Sequence, residues 1–295
     1  MNPVNRATAI GFISIVLWGM LALLTSLTNG KIPPFQMLTM TFTIAFLLML
    51  GNWLRQGKTG WVYTRQPLLA WLLGVGGLFG YHFFYFLAMA HAPVVEVSLI
   101  SYLWPLLIVL FSALLPGEHL SKFHLIGAVL ALVGCWVLIG GGSSGFSPDY
   151  LIGYLAALAC AFLWSSYSVA SRLVKQVPTD AVGWFCGITA VLGLICHLLW
   201  ESTVWPADWV EWLGVIGLGL GPVGIAFFTW DYGVKHGNLQ LLGVLSYAAP
   251  LISVVMLILA GKAEPTFSVL FACLAIVGGA FIAGQAHQRK TLSSP

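Results

Sequence analysis

The sequence predicts an all-α polytopic membrane protein of ten transmembrane helices, built as two inverted five-helix repeats. Three observations carry that expectation: composition, the length of the apolar runs, and an internal similarity at a shift of about 145 residues. Of the 295 residues 59% are hydrophobic and only 7% are charged, against roughly a quarter charged in a soluble domain. Twelve basic and nine acidic side chains cannot coat a water-soluble globule of this size. A net charge of +3, dispersed along the chain, also argues against nucleic acid as a partner.

A bilayer core of about 30 Å takes about 20 apolar helical residues to cross. Reading in order gives runs at about 7–28, 34–54, 68–90, 94–115 and 123–140, then about 151–171, 180–200, 210–233, 239–260 and 266–285. Each run ends where polar or helix-breaking residues gather: Asn29-Gly30 and Pro33-Pro34, the basic stretch from Arg55 to Pro67, Pro93, Pro116-Gly117 and the Gly-Ser stretch before Pro148. In the second half Lys175 to Pro178, Glu201 to Asp208, Gly237-Asn238 and Gly261 to Pro265 do the same. Barrel strands would instead alternate polar and apolar residues over about ten positions. The first run is too long for a signal-peptide core and lacks a small-x-small cleavage site.

Charge placement predicts the orientation. Arg6, Arg55, Lys58, Arg65, Lys122, Arg172, Lys175, Lys235, Arg289 and Lys290 share the side of the two termini, and only Lys31 and Lys262 fall opposite. Positive residues stay inside, so both termini are expected in the cytoplasm. Asp149, Glu201, Asp208, Glu211 and Glu264 fall on the other side.

The two halves match in register. Leu17-Trp18 corresponds to Leu163-Trp164, Ile100-Ser101-Tyr102-x-x-Pro105-Leu106 to Leu245-Ser246-Tyr247-x-x-Pro250-Leu251, and Val133-Gly134 to Val277-Gly278. Residues 1–145 thus form one repeat and 146–295 the other, together one transport domain. Five spans is an odd number, so the second copy enters the membrane from the opposite face. That is a recurrent carrier architecture, with substrate held near the midplane.

With Trp in the first helix and Pro in the fourth helix of each copy, and Gly117-Glu118 after the fourth, the chain resembles the drug/metabolite transporter superfamily, specifically its EamA-type ten-helix permeases. The resemblance covers about residues 7–285, and Lys262-Ala263-Glu264 lacks the glycine of the corresponding second turn. Spans 3 and 4, rich in aromatics, resemble those of the family's aromatic amino acid exporters. The resemblance implies a secondary carrier that exports aromatic amino acids, or related small amphiphilic metabolites, across a bacterial inner membrane by alternating access. A broad exporter of small hydrophobic or amine compounds is the alternative.

Deep polar and aromatic residues nominate the site. Tyr81, His82 and Tyr85 lie in span 3, Ser98, Ser101 and Tyr102 in span 4, Phe227, Trp230 and Asp231 in span 8, and Ser246 and Tyr247 in span 9. Trp18 and Trp164 lie near the centres of spans 1 and 6, too deep to reach headgroups, so their N–H groups need a partner helix or a cavity. A cavity so lined suits neutral or zwitterionic aromatic solutes, whereas a sugar phosphate would want a basic residue at a span centre. Trp53, Trp61, Trp205, Trp209 and Trp212 read as interfacial belt residues. Glu96 reads as a helix-start carboxylate, Asp231 and Lys235 as an i,i+4 pair, and His197 as interfacial.

Glycines at 74, 76, 77 and 80 and at 214, 217, 219 and 221 read as close helix contacts, with Gly80, Pro105, Pro222 and Pro250 as candidate hinges. Cys135, Cys160, Cys186, Cys196 and Cys273 all lie in apolar runs, without CxxC or Cys/His spacing, so neither a disulfide nor a metal is expected. No P-loop, HExxH or nucleophile elbow is present, and His119 and His124 are poorly spaced as ligands, which speaks against an enzyme and against any cofactor. The expected partners are the bilayer and a small-molecule substrate; a monomer is compatible with the sequence, which leaves the oligomeric state open.

Overall fold

The computed structural model describes residues 1–118, 120–140, 145–261 and 263–292, with side chains to residue 285. His119, Ser144 and Lys262 lie outside the described residues, as do the Arg289 and Lys290 side chains. Ten helical spans are long and apolar enough to cross a membrane: Pro3–Ser26, Pro34–Arg55, Leu68–His91, Val94–Ser112, Lys122–Gly140, Pro148–Val174, Thr179–Trp200, Trp209–His236, Leu239–Leu259 and Phe267–Gln285. They are numbered 1 to 10 below. In lipid each backbone N–H and C=O must be satisfied within its own segment, which is why long apolar runs become helices here.

The ends are set by local chemistry. Asn2 accepts from Val4 N at 3.1 Å, Asp208 from Val210 N at 2.8 Å and Glu211 N at 2.9 Å, and Asn238 from Leu241 N at 2.9 Å. Pro34 occupies the first helical position of span 2. Gly117 turns the chain after span 4 with φ +80°, a conformation that costs a residue with a Cβ.

Each span finds its main partner in the other half: 1 against 8, 2 against 7, 3 and 4 against 6, 9 against 1, and 5 against 10. The halves matched by sequence are therefore not separate globules; the core forms between them. Spans 5 and 10 touch backbone to backbone, since a Cβ on Gly127 would meet Gly279 O at 2.4 Å and one on Gly279 would meet Gly127 O at 2.5 Å.

Spans 3, 4, 8 and 9 are interrupted, all near mid-membrane. Span 3 passes through a π turn at Gly76–Gly80 and span 8 through another at Gly219–Ile225, around Pro222. Span 4 breaks between Ser101 and Trp104, just before Pro105, and span 9 breaks between Leu245 and Ala248, just before Pro250. The glycine-rich stretches serve close packing as well. A Cβ on Gly77 would meet the Tyr167 side chain at 2.5 Å, and one on Gly219 would meet Ile44 at 2.6 Å.

The two faces differ in how they are closed. On the side of the termini, Arg172 at the end of span 6 pairs with Glu118 after span 4 and donates to the carbonyls of Val234 and Gly237 at the end of span 8. Gln240 of span 9 donates to the other Glu118 oxygen at 2.9 Å. Nearby, Asn238 N donates to Thr8 Oγ1 at 2.8 Å. Spans 1, 4, 6, 8 and 9 are thus tied together on that side. On the far side the bonds join spans only two at a time. Tyr154 donates to Glu96 at 2.8 Å, Glu201 caps Phe35 and Gln36 at 2.9 and 3.0 Å, and Asn29 donates to Glu211 at 2.9 Å. The segment Trp104–Ser112 of span 4 packs on Leu239–Leu245 of span 9, while the far segments Val94–Ser101 and Ala248–Leu259 are not a packed pair. The bundle is sealed toward the termini and parted on the far side.

Candidate functional site

Where the interrupted spans meet, four indoles come together. Trp18 of span 1, Trp104 of span 4, Trp164 of span 6 and Trp230 of span 8 are all mutual neighbours. Ring centroids run from 5.0 Å for Trp18–Trp230 to 6.3 Å for Trp104–Trp164. Aromatic rings at such distances gain about 0.5–1.5 kcal/mol per pair beyond burial, so the cluster is a rigid floor. Two of the four N–H groups are used inside the protein: Trp18 donates to Pro222 O and Trp230 to Ser168 Oγ, both at 3.0 Å. The Trp104 and Trp164 indole N–H groups donate to nothing among the described residues, and neither is completely buried.

Above this floor, toward the parted side, stand the span 3 aromatics. Tyr81 packs on Trp164 at 5.5 Å, and Tyr81 and Tyr85, one turn apart, lie nearly parallel at 6.1 Å. His82 Nδ1 is 2.7 Å from Leu78 O. A carbonyl only accepts, so Nδ1 carries the proton and Nε2 offers a lone pair. The His82 ring sits edge-on to Phe42 of span 2 at 5.2 Å and to Phe227 of span 8 at 6.2 Å. Trp18, Tyr81, His82, Tyr85, Ser98 and Tyr102 are all half-buried. These side chains converge between spans of the two halves above the indoles, and we read their partial exposure as the wall of a cleft.

The other expected site residues are placed differently. Trp230 is fully buried beneath Trp18. Ser246 bonds back to Leu242 O at 2.7 Å, and Tyr247, fully buried, accepts from Leu106 N at 3.1 Å. Ser101 is buried, and its hydroxyl has no hydrogen-bond partner among the described residues. The physical reason is the closure: the termini-side half of span 9 is pressed against span 4, so its polar groups are used by backbone. Two other readings are corrected by local packing away from that closure. His197 is buried rather than interfacial, bonded to Glu201 and Thr203 at 2.9 Å each. Trp53 is fully buried, stacked on Tyr63 at 5.6 Å and Trp184 at 5.7 Å. Glu96 is held by Tyr154. Asp231 and Lys235 do pair, at 2.8 Å, and Thr179 adds a bond to the carboxylate at 2.7 Å.

Sequence reading missed Trp104 and Phe42. Trp104 fills one of the unspecified places in Ser-Tyr-x-x-Pro, and its mate in the other repeat is Ala249, so repeat matching passes over it. Phe42 lies in span 2, which carries no motif. No group of three or more metal-ligating side chains occurs among the described residues. A surface groove of about 370 Å³ between spans 2 and 7, beside Phe46, Trp184 and Gly187, is walled almost wholly by apolar groups and contains none of these residues.

The site is therefore a one-sided aromatic cleft over an indole floor, with hydroxyl, imidazole and indole N–H groups on its walls and no nucleophile–base pair or ligand set. Comparison with known proteins agrees. The EamA-like transporter family matches twice, over residues 6–140 and 151–285. The aromatic amino acid exporter YddG of Ancylobacter novellus is 54% identical over 281 residues, covering 95% of this chain and 97% of the relative. The protein of the same name from Escherichia coli is 29% identical over 305 residues, covering 97% and 99%. A solved crystal structure superposes with a TM-score of 0.93 at 52% identity, covering 98% of this chain and 99% of the other. With a doubled family match, ten spans and a cleft between halves, the chain belongs to the EamA-like transporter family and is a membrane transporter rather than an enzyme.

Proposed function

We propose that the protein exports aromatic amino acids across a bacterial inner membrane by alternating access, with both termini in the cytoplasm and substrate bound in the cleft above the four indoles. The observation that carries this is the pairing of aromatic walls with two unengaged indole donors, Trp104 and Trp164. A ring side chain stacks among Trp18, Tyr81, Tyr85 and Trp164. A carboxylate, an acceptor only, suits the Trp104 and Trp164 N–H groups and the tyrosine hydroxyls, and an ammonium suits the His82 lone pair. No charged side chain lies among these residues, so a zwitterion fits better than a net anion or cation. The names of the relatives support the substrate class.

The halves 1–145 and 146–295 act as one transport domain, exchanging conformations as spans 3–4 and 8–9 rock, with Gly80, Pro105, Pro222 and Pro250 at the points where those spans are interrupted. In this orientation the sealed face is cytoplasmic and the parted one external. Calorimetric titration of purified protein tests the reading: Trp, Tyr and Phe should bind, and Thr or Ala should bind at least about tenfold more weakly. Equal affinity for aromatic and aliphatic amino acids, or preference for hydrophobic amines without a carboxylate, would favour the broad exporter instead.

A further inference from the structure

The two repeats carry the same Ser-Tyr-x-x-Pro-Leu element, yet the structure holds the copies in different states. In the second copy Tyr247 is buried, its hydroxyl accepting from Leu106 N at 3.1 Å, and Ser246 bonds to Leu242 O at 2.7 Å. Leu106 follows Pro105, in the turn that restarts span 4. Its amide has no bond to Tyr102 O, so the Tyr247 hydroxyl supplies what the broken helix lacks. This bond lies where the closed halves of spans 4 and 9 meet. In the first copy Tyr102 is half-buried and hydrogen-bonds no group among the described residues, and neither does the buried Ser101 hydroxyl. Tyr102 stands where spans 4 and 9 part.

Inverted repeats give the other state by exchanging roles. The shift of 145 residues takes Tyr247 to Tyr102 and Leu106 to Leu251, the residue after Pro250. We propose that Tyr102 and Tyr247 are reciprocal positioning residues: the Tyr247–Leu106 bond holds the present far-side-open state, and a Tyr102–Leu251 bond replaces it when the bundle opens toward the termini. Tyr102 thus serves the cleft in one state and the seal in the other. Because both bonds use the backbone amide after a proline, each half of the cycle breaks one equivalent bond and makes another, which keeps the two states close in free energy. This inference rests on the alternating-access reading.

The test is electron–electron distance measurement on spin-labelled, full-length protein in nanodiscs without substrate, in a background free of native cysteines. One label pair, at Val95 and Leu259, reports the far side; another, at Leu114 and His236, reports the termini side. All four positions are exposed. Tyr247→Phe keeps the ring and removes the acceptor, so the ratio of far-side-open to termini-side-open molecules should fall about 2- to 12-fold, the range set by one hydrogen bond. Tyr102→Phe should raise the same ratio by a similar factor, and the double variant should return it toward the parent value. A structural role alone would not give opposite signs. Shifts in one direction for both variants, or no shift in folded protein, would overturn the proposal. If Tyr247→Phe does not fold, Tyr102→Phe decides alone, because the Tyr102 hydroxyl bonds no group among the described residues in the present state: no rise in the ratio sinks the latch. Distances in the parent protein that never change, with or without substrate, would defeat alternating access itself, which is a separable result.

Discussion

Trp104 and Trp164 differ from Trp18 and Trp230 in one respect that matters: their N–H groups have no acceptor among the described residues. Substituting residues that face the cleft should therefore lower substrate handling more than stability. Tyr85→Ala, Tyr102→Ala and Trp164→Ala should each weaken transport of Trp, Tyr or Phe by about 2- to 12-fold per lost ring contact, with a smaller effect on Thr; radiolabel uptake into vesicles with competing amino acids checks it. Equal losses for every substrate at normal expression in Tyr85→Ala and Trp164→Ala would mark those two rings as packing residues. His82→Ala should act on all amino acids alike if, as proposed, the Nε2 lone pair left by the Nδ1–Leu78 O bond receives the ammonium they share. By contrast Trp230→Phe strands the Ser168 hydroxyl and is expected to cost stability by about 1–3 kcal/mol, seen as a lower thermal unfolding temperature.

At the scale of elements, contact between helices decides. Gly279→Val would drive a side chain into the Gly127 carbonyl across spans 5 and 10 and should destabilise by about 1–3 kcal/mol or more, read as a lower unfolding temperature. Gly51→Ala in span 2 meets nothing within 4 Å and should be neutral or slightly stabilising. The existence and bounds of the spans were legible in the sequence because lipid imposes length and apolarity on each one separately. The Asp231–Lys235 pair was legible too, being one helical turn apart. The seal made by Arg172, Glu118 and Gln240 was not: its members lie 54 and 122 residues apart, and only the packing of spans 4, 6, 8 and 9 brings them together. Tyr247 was misplaced for a related reason. The repeat fixes which residues are equivalent but not which copy is closed, and the closed copy buries what the open copy exposes.

For the molecule as a whole, orientation and transport remain to be joined. A cysteine at Gly145, in the connection between repeats, should react with a membrane-impermeant maleimide added to intact cells, and a tag at either terminus should not be reached from outside. Crosslinks that hold the far ends of spans 3–4 to span 9 should abolish flux, since the bundle could then no longer present its cleft to that side. The most direct measurement is counterflow in proteoliposomes. Vesicles loaded with unlabelled Trp and diluted into a trace of labelled Trp should accumulate label transiently above the external concentration, with Phe and Tyr competing strongly and Thr weakly, and Trp164→Ala should blunt the peak. Vesicles of folded, correctly inserted protein that show no counterflow with any aromatic amino acid would contradict the account.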